Sequence, residues 1–253
     1  MTIFNEIRQL AQSTANDYLT RARHRGHPTV GYFCSYVPEE MIHAAGAVPY
    51  RMRAVGSEGT SLGDTYFSSA NCSFVRRVLD KGLRGDFDFL DGIVFMNGCD
   101  HNRRLFDNWS YAHPDTGFNY MLFVPHGRSE ACLAQYGNEL AKLGRFLEER
   151  FDTELTAEKL WNSVALYNRK RALLQEIADS RRAAVVPISG TEFLSLMLAV
   201  SVVPVEDAIA LLEQVLAELR AGRIHTGQAV LRLFVTGSCL EELSHLELLE
   251  SAG

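Results

Sequence analysis

Thr29-Val-Gly-Tyr-Phe-Cys-Ser-Tyr-Val-Pro-Glu-Glu-Met-Ile-His-Ala-Ala-Gly-Ala-Val-Pro-Tyr-Arg-Met52 is the stretch that decides the fold. It opens on Thr29 to Phe33, an apolar run of the kind that forms a short buried strand. Pro38 starts a helix, and Glu39 and Glu40 stand in its first turn, where the helix dipole favours acids. Gly46 closes that helix, and Val48 to Met52 is extended again. The same alternation continues downstream. A Gly/Ser-rich loop runs from Gly56 to Gly63, and Asn71 is placed to cap a helix carrying Phe74, Val75, Val78 and Leu79. Ile93 to Met96 is a buried-type strand, Arg103 to Trp109 is predicted helical, and Asn119 to Val124 is a further strand. Strands separated by helices predict an α/β fold with a Rossmann-like, doubly wound parallel sheet.

Outside this region the periodicity changes. Ile3, Ile7, Leu10 and Tyr18 repeat at helical spacing with Glu6, Arg8 and Asp17 between them, which predicts one amphipathic helix rather than a signal peptide. Leu133, Tyr136, Leu140, Leu143 and Leu147 predict a long helix. Leu160, Val164, Tyr167, Leu174 and Ala178 predict another, and Val205, Ala208, Leu212, Val215 and Leu219 a third. Ser189 and Glu192 have capping-box spacing ahead of the apolar stretch Phe193 to Val205, which is too short for a bilayer span of ~20 residues. Arg232-Leu-Phe-Val-Thr-Gly then reads as a strand and turn, followed by a helix of Leu240, Leu243, Leu246 and Leu249. The expected organisation is a site-bearing α/β domain with its N-terminal helix over 1–128, a helical section over 129–228, and the truncated start of a second α/β domain over 229–253.

Composition excludes several classes. Apolar residues make 47% of the 253-residue chain and charged residues 22%, which is globular rather than disordered. A net charge of −6 argues against sequence-independent binding of nucleic acid. Four of the 25 basic residues are Lys and the rest Arg, a bias toward planar, multi-donor contacts. Five Cys are too few and too odd in number for a secreted disulfide framework, so a reducing cytoplasm is expected, with no membrane partner. There is no GxGxxG, no Gly-Lys pair for a P-loop, no HExxH and no CxxC.

The cysteines speak by position. Cys34 follows the first strand, Cys72 sits at the start of a helix, and Cys99 follows Ile93 to Met96 where the next helix begins. The carboxyl ends of parallel strands share one edge, so these three distant thiols are expected to converge there. Each would lie near a helix N-terminus, whose dipole favours thiolate, the form that binds metal. Three thiolates leave one metal position open, whereas a structural zinc closes its tetrahedron with four protein ligands. Cys132 and Cys239 read instead as small buried hydrophobes. Among neighbours, His101 is a candidate acid or base. Ser35 and Asn71 are candidate donors to a sulfur or a substrate oxygen, with capping or turn roles as the plainer reading. Arg76-Arg77 and Arg103-Arg104 read as phosphate partners or surface charge, and Trp109 and Tyr111 as packing.

These motifs resemble a known superfamily. Gly31-Tyr-Phe-Cys-Ser-Tyr-Val-Pro-Glu-Glu-Met-Ile-His-Ala-Ala-Gly-Ala-Val-Pro is similar to the first cluster motif of the 2-hydroxyacyl-CoA dehydratase and benzoyl-CoA reductase superfamily. Asn71-Cys-Ser-Phe-Val-Arg resembles the second motif, and Asn97-Gly-Cys-Asp-His-Asn-Arg-Arg-Leu-Phe-Asp-Asn-Trp the third. The resemblance spans most of residues 29–111, and Arg232 to Gly237 looks like the opening of the family's second domain. It implies a 4Fe-4S cluster on Cys34, Cys72 and Cys99; Ser35 and His101, chosen for their places beside these cysteines, are the candidate catalytic groups. It also implies a homologous second subunit, in a heterodimer or homodimer, and a separate ATP-hydrolysing iron–sulfur activator that injects a low-potential electron. That electron makes a ketyl-type radical of an acyl-CoA thioester and drives dehydration or ring reduction. Cys99-Asp-His-Asn-Arg-Arg with Asp107-Asn-Trp109 looks closer to the benzoyl-CoA reductase branch, since dehydratases usually show Cys-Asp-Gly followed by lysines. The alternatives are a double-cubane 8Fe-9S reductase of small molecules and a non-catalytic, cluster-bearing subunit.

Overall fold

The structure is a computed structural model that describes residues 2–113, 117–222, 231–237 and 239–252. The chain enters through two helices, α1 (Ile3–Gln12) and α2 (Asp17–His24), where the periodicity predicts one. The break falls after Gln12, where Ser13 turns its hydroxyl back onto the Gln9 carbonyl and its backbone is extended. There follow β1 (Thr29–Tyr32), α3 (Glu39–Ala44), β2 (Val48–Arg51), a 3-10 turn (Gly63–Thr65), α4 (Ser73–Leu83), β3 (Gly92–Met96), α5 (Asp100–Ala112) and β4 (Asn119–Leu122). Five further helices complete the described chain: α6 (Glu130–Phe151), α7 (Ala157–Ser180), α8 (Gly190–Ala199), α9 (Val205–Arg220) and α10 (Leu243–Ser251).

The strands form one sheet in the order β2-β1-β3-β4. Every pairing is parallel, with Gly31 opposite Tyr50 and Ile93, and Val94 opposite Tyr120. From β1 the chain steps outward one way to β2, then crosses back to β3 and proceeds the other way to β4. The order therefore reverses between β1 and β3, the switch point at which open parallel sheets form ligand crevices beyond their strands' carboxyl ends. Both faces are covered, as parallel strands require. On one face Val30, Tyr32, Val94, Met96 and Leu122 pack with Ile42 of α3 and with Leu143 and Leu147 of α6. Val30, Val94 and Leu122 are fully buried, each contributing roughly 1.5–3 kcal/mol. The opposite face is aromatic: the Phe33 ring stacks on Phe95 with centroids 5.2 Å apart and meets Phe74 of α4 edge-on at 6.3 Å.

The described chain divides into two compact units, residues 19–164 and residues 1–18 with 165–253. The first holds the sheet. The second has its own core, in which Ile7 and Leu10 pack with Leu173, Ile177, Leu196, Leu212 and Val215. This division differs from the boundaries at 128 and 228 expected from sequence, because α6 contributes to the sheet's core and α1 to the helical one. The capping box at α8 forms as predicted, with Ser189 accepting from the Glu192 amide and Glu192 from that of Ser189. The strand expected at Arg232 to Gly237 does not form. Residues 231–237 are irregular and exposed, and among the described residues no strand pairing includes them, which a strand's backbone would need. The helix read from Leu240 starts at Leu243.

Candidate functional site

Cys34 lies two residues beyond β1 and Cys99 three beyond β3, so the switch-point strands each deliver one thiol to the sheet's carboxyl edge. Cys34 is half-buried and takes a left-handed backbone, φ 66°, unusual for a side-chain-bearing residue. Its loop is held from both sides. The Tyr32 hydroxyl donates to Glu39 Oε1 at 2.9 Å, and the Tyr136 hydroxyl donates to the Tyr36 carbonyl at 2.7 Å. Burial, with Glu39 beside it, pushes the Tyr32 phenol well above its usual range and keeps it protonated.

Cys99 is exposed and occupies the N-cap of α5, where its sulfur accepts from the Asn102 backbone amide at 3.5 Å. The side chain of the same Asn102 donates to Cys34 Sγ at 3.7 Å. One buried asparagine therefore hydrogen-bonds two sulfurs that lie 65 positions apart in the chain. The loop carrying Cys99 is further fixed by Asn97, whose Oδ1 accepts from the Val124 amide at 2.7 Å.

Cys72 is the N-cap of α4, half-buried, with no hydrogen bond from its side chain into the helix. Asn71, read as a possible cap, instead turns its amide onto Ser68, donating to the hydroxyl at 3.1 Å and to the carbonyl at 3.3 Å. Its Oδ1 lies 3.4 Å from His101 Nδ1, which brings the Cys72 loop against the start of α5. The segment ahead of Cys72 is anchored by Asp80, a buried carboxylate that accepts from the Leu62 amide at 2.7 Å and from Arg84 Nε at 2.6 Å. Burial alone would push this carboxyl up, but Arg84 and the amides of Leu62 and Gly63 outweigh it and hold it below the usual range. Gly63 is required here, since a Cβ on it would collide with the Arg76 carbonyl oxygen.

Cys34, Cys99 and His101 thus lie at one sheet edge, with the Cys72 loop drawn alongside. Ser35, next to Cys34, is exposed there. Among the described residues no three His, Cys, Asp or Glu side chains gather closely enough to share a single metal ion. Cys239, read as buried, is exposed, and Cys132 is half-buried. Trp109 packs in the core, whereas Tyr111 is 79% exposed. Arg76, Arg103 and Arg104 pair with Asp64, Asp100 and Asp107. Sequence reasoning gave Asn102 no role beyond its place in the third motif, and it missed the aromatic layer. The signal for Asn102 was there: it stands three residues after Cys99, the spacing at which a cap side chain receives a helix amide.

Fold and site together define a doubly wound α/β protein with free thiols at the switch point of its sheet. Residues 34–253 match the family described as 2-hydroxyglutaryl-CoA dehydratase, D-component, and the chain belongs to that family. It is 30% identical over 190 residues to a subunit of the benzoyl-CoA reductase of Thauera aromatica, covering 74% of this chain and 49% of that one. It is 26% identical over 217 residues to the beta subunit of lactoyl-CoA dehydratase from Anaerotignum propionicum, covering 85% and 57%. With the beta subunit of (R)-2-hydroxyglutaryl-CoA dehydratase from Acidaminococcus fermentans it shares 27% identity over 66% of this chain and 45% of the other. The chain spans about half the length of these relatives. Among the described residues no helix is long and apolar enough to cross a membrane.

Proposed function

We propose that this chain is the iron–sulfur part of a subunit of an ATP-dependent CoA-thioester reductase or dehydratase, of the benzoyl-CoA reductase type. The observation that carries the reading is the meeting of Cys34 and Cys99 on one buried asparagine at the switch point, with the Cys72 loop drawn alongside through Asn71 and His101. The residues fit a 4Fe-4S cluster. Such a cluster takes each thiolate on a different iron, so the sulfurs need not crowd around one ion. When bound, it supplies single low-potential electrons to an acyl-CoA thioester.

The chain's own residues supply the rest. Cys34, Cys72 and Cys99 would hold the group. Phe33, Phe74 and Phe95 exclude water from beneath the loops, and a dry environment controls both potential and side reactions. Exposed Cys99 and Ser35 leave the outer side open to a thioester. Ser35 is a donor to its oxygen, and His101, held at Nδ1 by Asn71, is the group to carry a proton. The relatives named above are subunits, which supports a homologous partner subunit. A separate ATP-hydrolysing activator belongs to the same reading, as the source of the electron.

The test is iron and acid-labile sulfide per chain on protein prepared without oxygen. About four of each are expected, with iron lost in Cys34→Ser, Cys72→Ser and Cys99→Ser. Retention of iron in all three variants would overturn the ligand assignment. Sulfide well above four would indicate the double-cubane type instead. Loaded protein, combined with its partner and activator, should then turn over CoA thioesters.

A further inference from the structure

Asn102 stands where the helix pattern calls for an apolar residue. Asn102, Leu105 and Trp109 are the buried residues of α5, spaced by three and four on the face it turns to the core. Asn102 is 5% exposed, and burying a primary amide there costs free energy unless its donors find partners. The partner of its Nδ2 is the sulfur of Cys34, and its backbone N–H goes to the sulfur of Cys99. A cap alone would need only the second of these bonds. The first reaches to another loop, onto a residue whose backbone is in the left-handed region.

We propose that Asn102 is the positioning residue of the thiol site, fixing Cys34 and Cys99 relative to each other and setting the reduction potential of the group they hold. The inference rests on the cluster reading above. An amide that donates to a cysteine sulfur withdraws negative charge from it, which favours the more negative, reduced state of an iron–sulfur group. Asn102 thereby raises the potential, and its removal lowers it. Because Cys34 receives its bond from the side chain and Cys99 from the backbone, substitution at 102 removes the first bond and leaves the second available.

The experiment is a redox titration of the anaerobically loaded protein as wild type, Asn102→Ala and Asn102→Asp, with the rate of iron release to a chelator measured in parallel. Both variants should titrate at more negative potential, Asn102→Asp furthest because it replaces a donor with a charge. Both should release iron several-fold faster while keeping the wild-type far-ultraviolet spectrum. An unchanged midpoint and release rate in both would overturn the proposal. If Asn102→Ala unfolds, Asn102→Asp decides, since it keeps the side chain's shape. Unfolding of both would also overturn it, by making Asn102 a core residue and nothing more. Failure of the cluster reading is separately visible, because the wild-type chain would then bind no iron.

Discussion

At the residue scale, Cys34 separates what stabilises the fold from what serves the site. Its φ of 66° costs a non-glycine residue roughly 1–2 kcal/mol, and such outliers gather at functional positions. Cys34→Gly relieves that strain, whereas Cys34→Ala keeps it and loses the same sulfur. Denaturant titration should therefore find Cys34→Gly more stable than Cys34→Ala by about 1 kcal/mol, the reverse of the order in an ordinary strand. Equal stability would show that the loop relaxes without the left-handed turn. Asp80 gives a second prediction at this scale. Its removal strands the amides of Leu62 and Gly63 and takes the partner of Arg84 Nε, so Asp80→Ala should cost about 1–3 kcal/mol. Since folding lowers the Asp80 pKa, its contribution is complete above the unfolded carboxyl's titration and fades as pH falls through the lower, folded value. The gap between wild type and Asp80→Asn should narrow on acidification through that range, measured by urea unfolding at a series of pH values.

At the element scale, helix ends organise both units. In the sheet unit, α4 and α5 begin on Cys72 and Cys99, so the residues expected to carry chemistry are also helix caps. In the helical unit, α8 begins on the Ser189–Glu192 capping box, and its next amides are taken by Glu250 of α10, whose Oε2 also accepts from the Thr191 hydroxyl at 2.7 Å. Ser189→Ala should lower stability by about 1 kcal/mol. Glu250→Ala should release α10 first, seen as faster amide exchange over 243–251 with the core of α9 unchanged. Slow exchange of α10 in that variant would mean that Leu243, buried with Ala11 and Leu198, holds the helix without the carboxylate.

At the scale of the whole molecule, residues 231–237 form an open stretch among the described residues. It carries exposed Leu231, Leu233 and Phe234, the last at 92%, in irregular backbone. Chymotrypsin under native conditions should cut there before anywhere in residues 19–164, with the fragments identified by mass spectrometry. Early cleavage inside the sheet unit would contradict the division into two compact units. The strand pattern of Arg232 to Gly237 was legible in sequence, but a strand exists only where a neighbour takes its backbone hydrogen bonds, and among the described residues no strand pairs with this stretch. The α/β alternation and the four strands of the sheet follow from local information alone: apolar runs, Pro38, Gly46 and helical spacing are properties of neighbouring residues. The nomination of Cys34, Cys72 and Cys99 needed one topological rule besides. What only the tertiary structure decided is non-local. It fixed the strand order that puts the β1 and β3 ends side by side, and the aromatic layer under the loops. It also laid one asparagine across two sulfurs. Those contacts join residues tens of positions apart, and chain-local periodicity carries no record of which distant side chain fills a given space.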